Sequence, residues 1–230
     1  MEKQFGSFDM SPNSDIMLLS HYRVTYTVTM ARDREATRAR ILGAVERLVV
    51  RDGVAAARVN AIAAEAGVDK VLIYRYFGGR AQLLRALARD RRLWPAPADE
   101  PMDPVHARGI AADLTDMLLT AARHLRTNPL ARRAAAWSLE SSDEFAREFT
   151  IARDEGARAI TATLRARYRL PPFVDLDALI VVLTAAATHL ALHSGGAAPY
   201  AALDLRRDTD WRRAERALLQ TVQALLGAPE

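Results

Sequence analysis

The chain has 230 residues, enough for one domain or two small ones, and half of them are apolar, so a sizeable core can be buried. It contains no cysteine, which excludes disulfides, thiolate metal sites and cysteine nucleophiles and fits a reducing cytoplasm. The net charge is +4, and only Lys3 and Lys70 among the 32 basic residues are lysine, a compositional bias that argues against reading each arginine as chosen for bidentate chemistry.

Residues 1–30 differ from the rest, mixing Ser, Asn, Asp and Pro with a short apolar run, Ile16 to Leu19, and a Thr-rich, strand-like stretch, Tyr22 to Thr29. A secretory signal needs a longer apolar segment without Asp15 just before it. This extension is expected to be disordered, or to precede a true start at Met30, which sits directly before the basic lead-in ARDREATRAR.

From Asp33 a first helix is expected to about Arg51, capped by Asp33 or Thr37, with Ile41, Leu42, Val45, Leu48 and Val49 on its inner face and Asp52-Gly53 as its stop. Its early arginines, Arg34, Arg38 and Arg40, can reach a DNA backbone, although exposed charges on a helix more often form a solvated face. Next comes NAIAAEAGVDKVLIYRYF, residues 60–77. Ile62, Ala63 and Ala66 recur at helical spacing, Gly67 breaks the helix, and Ile73 and Phe77 form a second apolar pair four residues apart. The pattern predicts a helix, a tight turn and a helix. With Ile73 and Phe77 inward, 100° per residue puts Val71 and Arg75 on the far side and Leu72 and Tyr74 on the flanks. Apolar groups held outward on a basic helix suit a DNA major groove, where they meet thymine methyls while Lys70 and Arg75 supply charge. Gly78-Gly79 then makes a turn, and a fourth helix begins near Arg80, carries Leu83, Leu84 and Leu87, and ends by Trp94-Pro95. Charge is concentrated here: Ala31 to Arg92 holds 14 basic and seven acidic residues, a net +7 against +4 for the whole chain, which leaves −3 elsewhere. That is the footprint of phosphate neutralisation.

The segment GVDKVLIYRYFGGRAQLL resembles the recognition segment of the tetracycline-repressor (TetR/AcrR) family of one-component transcriptional regulators, and ATRARILGAVERLVVRDGV upstream resembles the first helix of that family's DNA-binding domain. The resemblance runs from about Thr37 to Leu84 and rests on Ile62-Ala63, Ala66-Gly67-Val68, Ile73-Tyr74, Tyr76-Phe77 and a cation at Arg80 before Leu83-Leu84. The chain departs from the family at Arg58, where a capping hydroxyl is usual, at Val71 and Leu72, where small residues are usual, and at Tyr76, often a histidine. These departures bear on the operator sequence. Lys70, Val71, Leu72 and Tyr74 are expected to meet base edges or methyls, with Arg75 adding charge and Asn60, Tyr76 and Arg80 holding phosphates.

Residues 94–104, WPAPADEPMDP, hold four prolines in eleven residues and mark a boundary. Helical periodicity follows over Val105 to Arg126, Leu130 to Leu139, about Asp143 to Tyr168, Leu176 to Leu192 and Trp211 to Leu226, the last with a seam of Trp211, Ala214, Leu218, Val222 and Leu225. The stretch Leu176 to Leu192 is apolar nearly all round, so it must be covered on two sides, yet it is too short and too interrupted by Thr184, Thr188 and His189 to span a membrane. A second copy covering the outer side would make a four-helix interface from helices 176–192 and 211–226; a loop 195–210 folded over that face is the monomeric alternative. The family resemblance implies the dimer.

Catalytic features are few. Ser138, Ser141, Ser142 and Ser194 lack a nucleophile-elbow context and no Gly-rich phosphate loop is present. His189 and His193 are spaced as a metal-binding pair, but Leu190 stands where a zinc hydrolase places glutamate, and histidines at core or interface positions are the commoner case, so metal is kept only as the minor alternative and no metal ligand is assigned. Met117, Trp137, Phe145, Phe149 and Tyr168 form an aromatic and methionine set that most often means plain core; the family resemblance implies an enclosed effector and makes the first four, with His124, Thr184, Thr188 and His189, the candidate ligand residues.

The expectation is therefore all-α: a helix-turn-helix DNA-binding domain at 31–93, the Pro-rich boundary, and a helical effector-binding and dimerisation domain at 105–227. The implied function is a cytoplasmic, homodimeric repressor released from a palindromic DNA operator by a small-molecule effector, with no catalytic residues and no cofactor. The competing reading is a helical ligand carrier or enzyme whose helix-turn-helix-like hairpin is incidental.

Overall fold

The structure is a computed structural model that describes residues 12–91, 93–95, 109–170, 172, 174–196 and 198–226, with backbone alone for 12–31. Among the described residues it is all helical: α1 (Pro12–Asp52), α2 (Val59–Ala66), α3 (Lys70–Phe77), α4 (Arg80–Asp90), α5 (Ile110–Thr127), α6 (Pro129–Trp137), α7 (Glu144–Arg167), α8 (Leu176–His193) and α9 (Asp208–Leu226). A short 3-10 turn at Val54–Ala56 joins α1 to α2, and a lone antiparallel bridge between Tyr200 and Leu203 pins the loop before α9.

Two expectations about the start are corrected. Helix α1 begins at Pro12 and not at Asp33, so residues 12–30 are helical where disorder was expected; residues 1–11 lie outside the described residues. No glycine or proline falls between Asn13 and Leu42, and once a helix is nucleated each added residue gains a hydrogen bond at small entropic cost, which outweighs the strand propensity of the Thr-rich stretch. Asp33 and Thr37 consequently cap nothing: Thr37 Oγ1 donates to the carbonyl of Asp33 at 2.9 Å, within a continuous helix. The Pro-rich boundary is described only at its first two residues, Trp94 and Pro95, and the rest of it lies outside the described residues.

Real caps mark the later helices. The Asp69 side chain accepts from the backbone N–H of Val71 at 2.7 Å, Asn128 from Ala131 at 3.0 Å, Asp143 from Phe145 and Ala146, and Asp175 from Ala178. Each fills one orphan donor of a helix N-terminus, and Asp143 two, a cap being worth about 1 kcal/mol.

Helices α1 to α4 and the body helices share a core. Ile41, Val45, Ile62, Ile73, Leu83 and Leu87 from the head and Leu125, Leu130, Phe145 and Phe149 from the body belong to one buried cluster. A second cluster, around Leu114, Ile160, Leu164, Ile180 and Val222, fills the far end of the body. Helix α5 lies against α8 and α9, and α4 against α7. That last contact is also ionic: Arg89 grips Glu148 with two bonds of 3.0 and 3.1 Å, and Arg85 pairs with Glu144 and, at 3.2 Å, with Glu148.

Candidate nucleic-acid interface

The turn between α2 and α3 is a backbone device. Gly67 sits in the left-handed region at φ 61°, and Val68 N–H reaches back to the Ala63 carbonyl at 3.0 Å, the closure that ends α2 and redirects the chain. A side chain there would be strained, hence glycine. Two residues later Asp69 caps α3, so the angle between the two helices is fixed at both sides of the turn.

Helix α3 buries one residue completely, Ile73, and turns its other face outward. Val71 is 63% exposed and Tyr74 54%, values that water alone would not favour for such large apolar groups. Lys70 and Arg75 are exposed beside them, as is Asn60 on α2, whereas Leu72 and Tyr76 are half-buried. Phe77, expected inward, is also only half-buried, with the Arg38 guanidinium 5.6 Å from its ring centre; Arg34 stands 5.8 Å from the ring of Tyr76. Two early arginines of α1 are thereby held at the C-terminal end of the recognition helix, a cation–π arrangement worth about 0.5–1 kcal/mol at exposed sites.

Charge in this region separates into two sets. Arg47 and Arg51 of α1 both grip Glu65 of α2, at 2.8 and 3.3 Å, and the Arg47 guanidinium, with Arg51 beside it, holds the Glu65 carboxyl below its ordinary range. Arg91 pairs with Glu46 at 2.7 Å. Those cations lock helices together. Among the described residues Arg40, Arg58, Lys70 and Arg75 make no ion pair, so the positive charge still available to a polyanion is concentrated on and around α2, α3 and the first half of α1.

Arg80 has a different employment from the expected one. Its Nε donates to the Ala57 carbonyl at 2.8 Å and its Nη2 to the Val54 carbonyl at 2.9 Å, which ties the start of α4 to the turn before α2. These two carbonyls lie 23 and 26 residues upstream, too far for any local sequence signal. The Asp69 cap, also missed, could have been read from an Asp standing just before a helical apolar pattern.

The residues expected to line an effector site are not brought together. Phe145 and Phe149 are fully buried core, the latter edge-on to Trp94 at 5.7 Å. Trp137 donates Nε1 to Asp143 at 3.0 Å, Met117 packs on the second cluster, and His124 is half-buried on α5. Thr184 and Thr188 do line a narrow gap between α5, α7 and α8. His189 faces away from it, exposed, its ring 4.6 Å from that of His193 and 5.4 Å from Tyr200. Among the described residues no three His, Cys, Asp or Glu side chains gather as metal ligands.

Helix α8 shows the need for cover anticipated from its composition. By length and composition alone α8 is long and apolar enough to cross a membrane, contrary to the expectation, with a mean hydropathy of 1.6 over 18 residues and only 28% of it buried; a helix that packs against a second copy has the same character. Ala178, Val181, Val182, Ala185, Ala186 and His189 are exposed at the spacing of a single helix face, with Val181 and Val182 64% and 63% accessible. On α9, Trp211 and Val222 are buried as expected, but Leu225 is 48% exposed and leaves the seam.

Comparison with known proteins agrees with this geometry. Residues 41–87 match the profile of the family described as bacterial regulatory proteins, tetR family. Over 86 residues the chain is 38% identical to the HTH-type transcriptional repressor SCO4008 of Streptomyces coelicolor, a match that takes in 37% of this chain and 44% of that protein, less than half its length. The fold is similar to that of NalD, the secondary repressor of the MexAB-OprM multidrug efflux pump in Pseudomonas aeruginosa, at a TM-score of 0.55 and 22% identity, covering 83% of this chain and 96% of that one. It is also similar to GusR of Salmonella enterica, at a TM-score of 0.54 and 18% identity, covering 83% and 95%. With the helix-turn-helix, its exposed basic recognition helix and this match in hand, residues 41–87 are a DNA-binding head of the kind found in the tetR family of bacterial regulatory proteins.

Proposed function

We propose that the protein is a cytoplasmic, homodimeric repressor that binds a palindromic DNA operator and is released from it by a small-molecule effector. The observation that carries the reading is α3: a helix held at a fixed angle by Gly67 and Asp69, presenting Lys70, Val71, Tyr74 and Arg75 outward with no protein partner for either cation among the described residues. Such a helix fits a major groove, its methyl-bearing and aromatic side chains reading bases while Lys70 and Arg75 add hydrogen bonds and charge. Asn60, Leu72 and Tyr76 flank this surface and complete the contact set. Residues 31–93 act as the DNA-binding head and 105–227 as the effector-binding and dimerisation body, although one core runs through both.

Two heads are required to read a palindrome, and the uncovered face of α8 supports pairing with a second copy, α9 contributing its outer side. Signals to the head have a rigid route, because α4 is bolted to α7 through Arg85, Arg89, Glu144 and Glu148. An effector that binds the non-DNA state better shifts the spacing of the two recognition helices; one with equal affinity for both states moves nothing.

The test is selection of a binding sequence from random duplexes with the full-length chain, followed by anisotropy titration at several salt concentrations. A two-fold symmetric site, bound with a steep inverse dependence on salt and far more tightly than random DNA, is the expected result. Affinity indifferent to sequence, or turnover of a small molecule by a chain without DNA affinity, overturns the reading.

A further inference from the structure

The gap between α5, α7 and α8 is the place where an enclosed ligand would sit, and it is nearly closed. Its free volume is ≈ 10 Å³, about the room of one water. Its walls are mostly short, Ala121 and Ala122 from α5, Ala157 from α7, and Thr184, Ala187 and Thr188 from α8, with Leu118 and Ile160 as the larger members. The largest side chain bordering the gap is the indole of Trp94, which takes up room that the short side chains of the three helices leave.

Trp94 does not belong to any of these helices. It lies four residues beyond the end of α4, yet it is 8% exposed and seated against α7 and edge-on to Phe149. The seat is specific. At Gly156 a Cβ would stand 2.7 Å from Trp94 Nε1 and 3.0 Å from Cδ1, a clash that only glycine avoids, at a mid-helix position where glycine is otherwise unfavourable. The α8 side of the gap carries two half-buried hydroxyls, Thr184 and Thr188; Thr115, Thr150 and Thr161 each donate to the carbonyl one turn back, whereas no such bond is formed by Thr184 or Thr188 among the described residues. Two hydroxyls one helical turn apart, facing an aromatic-sized slot with alanine walls, can orient a flat ring that carries a polar edge.

We propose that Trp94 is a built-in occupant of the effector site, and that the effector is a planar aromatic molecule of about indole size with a hydrogen-bonding edge, which must displace Trp94 to enter. This rests on the reading of the chain as an effector-controlled DNA-binding protein. Because Trp94 hangs from the end of α4, its displacement acts directly on the helix that carries the head, so entry of the ligand and movement of α4 are one event. The occupant also sets a threshold: the apparent affinity of any effector is lowered by the fraction of molecules in which Trp94 has left its seat.

Indole itself is the probe, titrated calorimetrically into the full-length wild type and the Trp94→Ala variant. An apolar cavity of roughly 150 Å³ takes up benzene-sized molecules. The variant is expected to bind one indole per chain at least about tenfold more tightly than the wild type, to gain thermal stability from it, and to show an operator affinity that changes on indole addition. Should Trp94→Ala fail to fold, Trp94→Leu vacates most of the ring volume while keeping an apolar contact with Phe149, and the same measurements apply. A folded variant that takes up no more indole than the wild type overturns the proposal, as does indole uptake that leaves operator affinity unchanged. If neither protein binds DNA at all, the regulatory reading fails on its own, and coupling to the head fails with it, whatever the calorimetry shows.

Discussion

The guanidinium of Arg80 and the carbonyl of Ala57 are joined at 2.8 Å, and with the second bond to Val54 this pair closes the head into a ring: α4 is tied to the turn that launches α2. A phosphate contact and a structural tie make opposite forecasts. Replacing Arg80 with Ala removes two charge-assisted hydrogen bonds and leaves two half-buried carbonyls to find water, a loss of roughly 2–4 kcal/mol of stability. DNA binding should weaken on all sequences alike through loss of folded head, but the slope of log affinity against log salt should stay unchanged once only folded protein is counted. A slope reduced by about one unit, with the melting temperature intact, would return Arg80 to the phosphate contacts.

Lys70 and Val71 stand at the start of the recognition helix, and both are exposed, so neither supports the core. Lys70→Ala is expected to leave stability within about 0.5 kcal/mol and to cost about 1–3 kcal/mol of discrimination at one base position. Val71→Ser should likewise spare the fold and shift preference at a thymine-bearing position. Melting curves and binding to a panel of single-base operator variants measure both effects. Uniform weakening on every operator and on random DNA would show that these side chains read no bases.

The head was legible in the sequence because its signals are local. Gly67, the pair Ile73 and Phe77, and the Leu83-Leu84-Leu87 run each lie within a few residues of the feature they specify, and helix ends elsewhere agree within a few residues, apart from the start expected at Val105, which lies outside the described residues. What stayed hidden depends on residues far apart in the chain. Arg80 looks like any exposed cation until Ala57 and Val54 are brought to it. The candidate ligand residues were chosen by type, and three-dimensional packing sorted them apart: Phe145 and Phe149 went to the core, His189 to the outer face of α8, and Thr184 and Thr188 alone to the gap. Trp94 looks like a boundary residue in the sequence because prolines follow it, whereas its seat is made by Gly156, 62 positions on. The length of α1 was missed for another reason: propensity weighs residues singly, while helix extension is cooperative.

The docking of α9 should be sensitive to acid. Asp208 is held below its ordinary value by the hydrogen bond from Arg126, Asp204 by the one from Arg206, and Asp210 by the backbone N–H of Asp204 and then by Arg213. A carboxylate with a depressed folded pKa contributes stability above its unfolded value, 3.8 here, and that contribution is lost as the pH falls through the folded value. Thermal stability should thus be flat from neutral pH down to about 4 and decline below it. Asp208→Asn, which breaks the tie at 2.7 Å between α9 and α5, should lower stability at neutral pH and flatten part of the acid decline. An acid limb identical in wild type and variant would show that this carboxylate plays no part in it.

The exposed stripe on α8 yields the most direct check on assembly. Val181 and Val182 are among the large apolar residues most open to solvent, and they lie in a row with Ala178, Ala185 and Ala186. Alanines let a second helix approach closely, and the two valines supply branched surface to interlock with it, so the stripe has the composition of a helix-packing face. Nothing on it is needed inside one chain. Val182→Glu should therefore leave the monomer folded, with its helical content intact, since the new carboxylate points to solvent. In a face-to-face pair it would place two like charges close together in a desolvated contact, a penalty of several kcal/mol, enough to shift a dimer to monomer at micromolar concentration. Sedimentation should show a dimer for the wild type and a monomer for the variant, and operator affinity should fall steeply, because a single head loses the linked second contact. A variant that remains dimeric and binds its operator normally would place the interface elsewhere on the body.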